Sequence, residues 1–121
     1  MRTCLVVDDS RVVRKVASRI VEALHFEPIE AADGLEALSV CRASMPDAVL
    51  VDWAMPVMDG VEFVRLLRLE PGGTAPIVVF CTAETEPDRI AEALDAGADE
   101  YIMKPFDGDI IAAKFSEAGL I

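Results

Sequence analysis

Histidine, tryptophan and tyrosine each occur once in this chain of 121 residues, and cysteine occurs three times. Cys4, Cys41 and Cys81 are too few and too scattered for a disulfide framework, and no C-x-x-C pair is present. Each sits in an apolar stretch and reads as a small buried hydrophobe. No G-x-G-x-x-G occurs, which excludes a nicotinamide-binding fingerprint. The longest apolar run, Ile77 to Cys81, is far too short to cross a bilayer. The opening MRTCLVVDDS turns acidic within ten residues and lacks the apolar core of a signal peptide. A cytoplasmic chain without a membrane partner is expected. Positive charge is scarce as well: 11 Lys and Arg face 22 Asp and Glu, a formal charge of −11. That balance argues against nucleic acid, whose binding needs phosphates neutralised by Lys and Arg. It suits a cation binder or a protein that docks on basic partners.

What is present in abundance is apolar surface, 53% of the residues. A chain of this length makes one domain and buries roughly 60–70% of its unfolded surface, so a core is attainable without staples. Apolar runs of strand length alternate with helical patterns. Leu5-Val6-Val7 reads as a buried strand ending in Asp8-Asp9-Ser10. Val13, Val16, Ala17, Ile20, Val21 and Leu24 then follow helical spacing, with Ser10 as N-cap. A weaker strand covers about Pro28 to Ala31, and Asp33-Gly34 opens a helix through Leu35, Leu38 and Cys41. Ala48 to Val51 is the third strand, closing on Asp52, and Asp59-Gly60 begins a helix carrying Val61, Val64 and Leu67. Pro71 to Pro76 is a loop by composition. Ile77 to Cys81 closes on Thr82. Pro87 suits the first turn of a helix with Ile90, Ala93 and Leu94, stopped by Gly97. Tyr101 to Met103 closes on Lys104-Pro105, and Asp107 caps a last helix bearing Ile111, Phe115 and Ala118. Five strands alternating with five helices specify a parallel α/β sheet covered on both faces, in one domain over residues 1–121.

Ligands of open α/β sheets bind outside the carboxyl ends of the strands. Here those ends read Asp8-Asp9, Asp52, Thr82 and Lys104. Taken singly, each has a bland explanation: a cap, a turn residue, a solvated charge. Together they place three carboxylates, a hydroxyl and an ammonium at one edge. Carboxylates about 4 Å apart repel by roughly 4 kcal/mol at an effective dielectric near 20, so such a cluster calls for a cation. All-oxygen donors favour Mg²⁺. A carboxylate beside Mg²⁺ can act as nucleophile and form an aspartyl-phosphate, with Lys104 neutralising the transferring oxygens and Thr82 donating a hydroxyl.

Asp8-Asp9, Asp52, Thr82-Ala83 and Lys104-Pro105, in this order on this alternation, resemble the receiver domain of two-component response regulators. The likeness covers essentially the whole chain, and Val51 to Gly60 and Tyr101 to Phe106 are its most specific segments. Trp53, Thr82-Ala83-Glu84 and Tyr101 are closest to single-domain chemotaxis regulators. The resemblance implies a flavodoxin-like (βα)5 sheet with strand order 2-1-3-4-5. It implies Asp52 as phosphoacceptor, and Mg²⁺ held by Asp8, Asp9, Asp52 and the main-chain carbonyl of Ala54. Lys104 would pair with the phosphoryl group, aimed by a cis peptide before Pro105. Thr82 would move toward that group, and Tyr101 would swing inward behind it. The implied partners are a sensor histidine kinase and a protein that reads the fourth helix, fifth strand and fifth helix, such as a flagellar motor switch, with the chain itself monomeric. A phosphate sink or phosphorelay intermediate is the alternative role. Catalysis would extend only to the chain's own phosphorylation and dephosphorylation.

Other classes fare worse on particular residues. A haloacid-dehalogenase-type phosphatase needs a second Asp two residues after its nucleophile, where this chain has Ala54. A flavodoxin-like electron carrier needs a Ser, Thr and Gly phosphate loop where this chain has Asp8-Asp9. A phosphorylation-independent adaptor would be separated by a phosphorylation assay. His25 reads as a surface residue, and Trp53, Met55 and Met58 as local packing. The expected output face carries Asp88, Glu92, Asp95, Asp99, Glu100, Asp107 and Asp109, which suits a basic partner.

Overall fold

All five strands and all five helices appear in the computed structural model, which describes residues 2–82, 87–104 and 107–121, leaving out the side chains of residues 87–89. The strands are β1 (Thr3–Val7), β2 (Glu27–Ala31), β3 (Ala48–Asp52), β4 (Ile77–Thr82) and β5 (Glu100–Met103). They form one parallel sheet in the order β2-β1-β3-β4-β5, the flavodoxin-like arrangement expected. The helices are α1 (Arg11–Ala23), α2 (Gly34–Ala43), α3 (Gly60–Leu69), α4 (Pro87–Ala96) and α5 (Gly108–Glu117).

The near-unbroken apolar strands have a direct cause, since both faces of the sheet are covered. Successive side chains alternate between faces, so the run Leu50-Val51 feeds two separate cores. Val49, Val51, Val78 and Phe80 pack with Leu38, Phe63, Val64 and Leu67 of α2 and α3. Val6, Leu50, Val79 and Ile102 pack with Ala17 and Val21 of α1 and Ile111 and Phe115 of α5. Phe26 meets Phe115 edge to face, ring centroids 5.3 Å apart. All three cysteines are buried and unpaired; burial pushes the Cys4 thiol up to about 12 and the Cys41 thiol to about 11. They are packing residues, as their apolar setting suggests.

Helix boundaries follow from capping chemistry. Ser10, Asp33, Asp59 and Asp107 each accept a hydrogen bond from the N–H three residues on, opening α1, α2, α3 and α5. Three helices close in the same way. The amide after each helix's left-handed residue reaches back to a carbonyl five positions earlier: Phe26 to Val21, Ala98 to Ala93, and Leu120 to Phe115. The left-handed residue is Gly97 after α4 and Gly119 after α5, but His25 after α1, at φ 70°. His25 is exposed, as expected.

Some apolar positions lie outside the core. Val16, Leu35 and Leu94 follow helical spacing with buried neighbours yet are 48%, 52% and 43% exposed. Each helix buries a narrow stripe against a flat sheet, and these residues lie at its margin. Arg68 has a role the sequence did not indicate. Its guanidinium donates to the carbonyls of Gly73, Pro76 and Gly97 and to Asp99 Oδ2, at 2.7–3.0 Å. It ties the loop after α3 to the one after α4, at the edge opposite the candidate site.

Candidate functional site

Because all five strands run the same way, their carboxyl ends gather the residues selected from the sequence. Asp8 follows β1 and is 3% exposed. Its N–H donates to the carbonyl of Ala31 at 3.1 Å, and its Oδ1 accepts from the N–H of Ser10 at 2.8 Å. Asp9 is exposed beside it. Asp52 ends β3 and Thr82 ends β4; both are buried. Lys104 follows β5, and its N–H donates to the carbonyl of Thr82 at 2.9 Å. Its ammonium donates to Asp8 Oδ2 at 2.7 Å and lies 2.9 Å from Asp52 Oδ1. Asp8, Asp9 and Asp52 each contribute a carboxylate oxygen within 4.8 Å of the others.

The charges are out of balance. Burial pushes the Asp52 carboxyl above the ordinary aspartate range; Lys104 pulls it back, while Asp8 and Asp9 push it further up. Burial also opposes the charge on Lys104, but its bonds to Asp8 and Asp52 outweigh that and raise its pKa. One ammonium therefore pairs with two of the three clustered carboxylates, and a further cation would be bound favourably. Oxygens about 2.0–2.1 Å from an Mg²⁺ ion lie at most about 4.2 Å apart. These oxygens, all within 4.8 Å of one another, need at most a small contraction to reach that geometry. The donor set fits Mg²⁺.

The segment after β3 shapes the rim. Ala54 is exposed, two residues past Asp52, so only its main chain could face a ligand. Trp53 packs edge to face on Phe80 at 5.4 Å, and Met55 and Met58 pack against the same core. The N–H of Met58 donates to the carbonyl of Pro56 at 2.7 Å across Val57, whose φ is 71°. That combination is a positive-φ γ-turn, a rare and strained form. The next turn requires glycine. A Cβ on Gly60 would stand 2.2 Å from the carbonyl oxygen of Asp52 and 2.9 Å from the ring of Phe80. The helix start of α3 is thus pressed against the acid that ends β3.

Tyr101 is half-buried on β5. The pairing of Phe80 with Tyr101 and Thr82 with Met103 puts Phe80, Thr82 and Tyr101 on one face of the sheet. Two contributors were not singled out from the sequence. Lys114 of α5 lies over the Tyr101 ring, and Arg14 of α1 donates to the carbonyl of Asp8. Their signal was only helical spacing, since both point inward from exposed helices. Pro105 and the cis peptide expected there lie outside the described residues, as do Ala83, Glu84 and the side chain of Asp88.

Known proteins resemble this chain in sequence and in fold. The family described as response regulator receiver domain matches residues 4–116. The phosphate regulon transcriptional regulatory protein PhoB of Klebsiella pneumoniae is 34% identical over 113 residues, 93% of this chain and 49% of that one. The response regulator MprA of Mycobacterium sp. (strain KMS) is 43% identical over 102 residues, covering 84% of this chain and 44% of that one. The chain spans about half the length of these curated relatives. Among solved structures, the chemotaxis response regulator CheY4 of Vibrio cholerae is 32% identical with a TM-score of 0.91, covering 97% of this chain and 98% of that one. A CheY-like receiver domain protein of Methanospirillum hungatei JF-1 is 28% identical with a TM-score of 0.87, covering 98% and 93%.

Proposed function

Because the chain belongs to the response regulator receiver domain family, we propose that it accepts a phosphoryl group on Asp52 from a sensor histidine kinase and relays that state to a protein partner. The observation that carries this reading is the ammonium of Lys104 poised 2.7 Å from Asp8 and 2.9 Å from Asp52 at the rim of a three-carboxylate cluster. One oxygen of Asp52 attacks phosphorus. The new P–O bond forms as the P–N bond to the donor histidine breaks, and the electron pair stays on the imidazole nitrogen. Asp8, Asp9, Asp52 and the carbonyl of Ala54 would hold Mg²⁺, which when bound supplies charge neutralisation to both the acids and the transferring oxygens. Lys104 contributes a second positive charge to the same oxygens. The Thr82 hydroxyl then donates to the bound phosphoryl group, and Tyr101, on the same sheet face, follows it inward. The chain's chemistry is confined to its own phosphorylation and dephosphorylation.

A chemotaxis output is supported by the likeness to CheY4, which runs almost the full length of both chains; the chain is taken to act as a cytoplasmic monomer. Exposed Glu92, Asp95, Asp107 and Asp109 on and beside α4 and α5 favour a partner with a basic docking surface. The test of the central reading is incubation with acetyl phosphate and Mg²⁺, followed by intact-mass measurement. One phosphoryl group per chain should appear, labile to strong base and to hydroxylamine. Asp52→Asn should take up none, and labelling of that variant would overturn the assignment.

A further inference from the structure

Although the chain is strongly acidic, α1 carries Arg11, Arg14, Lys15 and Arg19 within two turns and a half. Arg14 and Lys15 turn toward one carboxylate, Glu30 on β2: Lys15 Nζ lies 2.9 Å from Oε2 and Arg14 Nε lies 3.2 Å from Oε1. Arg14 has a second engagement. Its Nη1 donates to the main-chain carbonyl of Asp8 at 2.7 Å, and its side chain is only 16% exposed. That carbonyl belongs to the peptide joining Asp8 to Asp9. A rotation of this peptide plane would re-aim both acids together. The Asp8 carboxylate is already fixed, by Ser10 N–H on one oxygen and Lys104 on the other. Asp9 is exposed, so the direction of its carboxylate depends more heavily on the backbone beneath it.

The geometry of Arg14 suits this task. A guanidinium is a planar fork, and engaging Glu30 with Nε fixes the plane in which Nη1 reaches the carbonyl. An ammonium on a flexible stem would satisfy one of the two acceptors without setting the other. Lys15 shares Glu30 but has no bond to Asp8, which makes it an internal comparison.

We propose that Arg14, oriented by Glu30, is a positioning residue that sets the affinity of the Asp8-Asp9 pair for Mg²⁺ through the peptide between them, without touching the ion. The inference rests on reading the acidic cluster as an Mg²⁺ site. Partners that orient metal ligands change affinity by about 10–100-fold when removed.

MgCl₂ titrations followed by calorimetry and by Trp53 emission, with thermal unfolding in EDTA as the control for folding, test it. Arg14→Gln should weaken Mg²⁺ binding by about tenfold, and Arg14→Lys should not restore it. Glu30→Gln, which leaves Arg14 in place, should weaken binding in the same direction by a smaller factor. The double variant should match Arg14→Gln alone, because the two act as one unit. Lys15→Gln should bind as wild type does. Arg14→Gln that unfolds more easily in EDTA yet binds Mg²⁺ with wild-type affinity would overturn the proposal, as would a Glu30→Gln titration indistinguishable from wild type. A wild-type chain that binds no Mg²⁺ by either readout would instead overturn the metal site itself, and the inference with it.

Discussion

Lys114 sits over the ring of Tyr101, its Nζ 5.7 Å from the ring centroid, while pairing with Glu100 at 3.3 Å and Glu117 at 3.4 Å. Burial works against its charge, but the two glutamates outweigh that and keep its pKa above the ordinary lysine value. The ring therefore has a cation on its outer side and the Phe80–Thr82 face of the sheet on its inner side. On the proposed reading, a ring between these two sides is the element that would link the site to the surface.

Thr82→Ala and Tyr101→Ala should both still take up one phosphoryl group from acetyl phosphate, since neither supplies the nucleophile nor a metal ligand. Both should lose the gain in partner affinity that follows phosphorylation. Lys114→Ala should shift the ring inward without phosphorylation and raise basal partner binding. Affinities measured with and without phosphorylation decide this. Full coupling in both Thr82→Ala and Tyr101→Ala would mean that the signal takes another route.

A second expectation concerns pH. The folded-state pKa of Asp52 is raised by burial and by its acidic neighbours. Between the ordinary aspartate value and that raised value, the folded chain holds a proton that the unfolded chain has released. Stability is therefore lost as pH rises through the raised pKa and regained as pH falls. Asp52→Asn should unfold at a higher temperature than wild type at neutral pH in EDTA. The advantage should shrink as pH falls from neutral toward the ordinary aspartate range, because the wild-type carboxyl, with its raised pKa, takes up its proton before that range is reached. A difference that stays constant over this range would show that repulsion at Asp52 is not its source.

The parallel sheet and the gathering of Asp8, Asp9, Asp52, Thr82 and Lys104 at one edge were legible because their signals are local, whereas the strand order came from the family resemblance. Four strand ends carry chemistry-bearing side chains, and parallel topology brings strand ends together whatever lies between them. The caps at Ser10, Asp33, Asp59 and Asp107 were legible for a similar reason, as each acts within three residues. Arg14, Arg68 and Lys114 were not. Their partners lie on other elements, such as Asp8 and Glu30 for Arg14, or Gly97 and Asp99 for Arg68. A helical arginine reads as solvated until the facing loop is known. Val16, Leu35 and Leu94 erred the opposite way, because spacing alone does not say how wide a stripe the sheet can cover.

Gly60 should be intolerant of change. A Cβ there overlaps the carbonyl oxygen of Asp52 and touches the ring of Phe80. Gly60→Ala must push α3 away from β3, at a cost of about 1–3 kcal/mol by comparison with overpacked cores. The shift acts on the main chain of Asp52 itself, so Mg²⁺ affinity should fall along with stability. Denaturant unfolding and an MgCl₂ titration would reveal both. Wild-type behaviour in the two would show that the helix start yields without moving the acid.

Among the described residues, the two non-glycine residues at positive φ make a last, paired prediction. His25, at 70°, follows α1 in a position where glycine is the usual occupant, and its N–H donates to the carbonyl of Glu22 at 3.0 Å. Val57, at 71°, is β-branched and 77% exposed, so no burial compensates its conformation. Left-handed backbone costs an ordinary residue about 1–2 kcal/mol, and glycine avoids this at the expense of about 0.4–1 kcal/mol of unfolded-chain entropy. Both His25→Gly and Val57→Gly should therefore raise the melting temperature, by a few degrees for about 1 kcal/mol. Val57→Gly should gain more, because branching at Cβ worsens the clash. The two also differ at the site. His25 lies at the far edge of the sheet, so its variant should bind Mg²⁺ as wild type does. Val57 shares a loop with Ala54, so relaxing its turn should change Mg²⁺ affinity as well. Thermal unfolding in EDTA and an MgCl₂ titration on both variants separate the effects. A destabilised Val57→Gly would mean that its side chain, and not its backbone, decides the conformation of the loop.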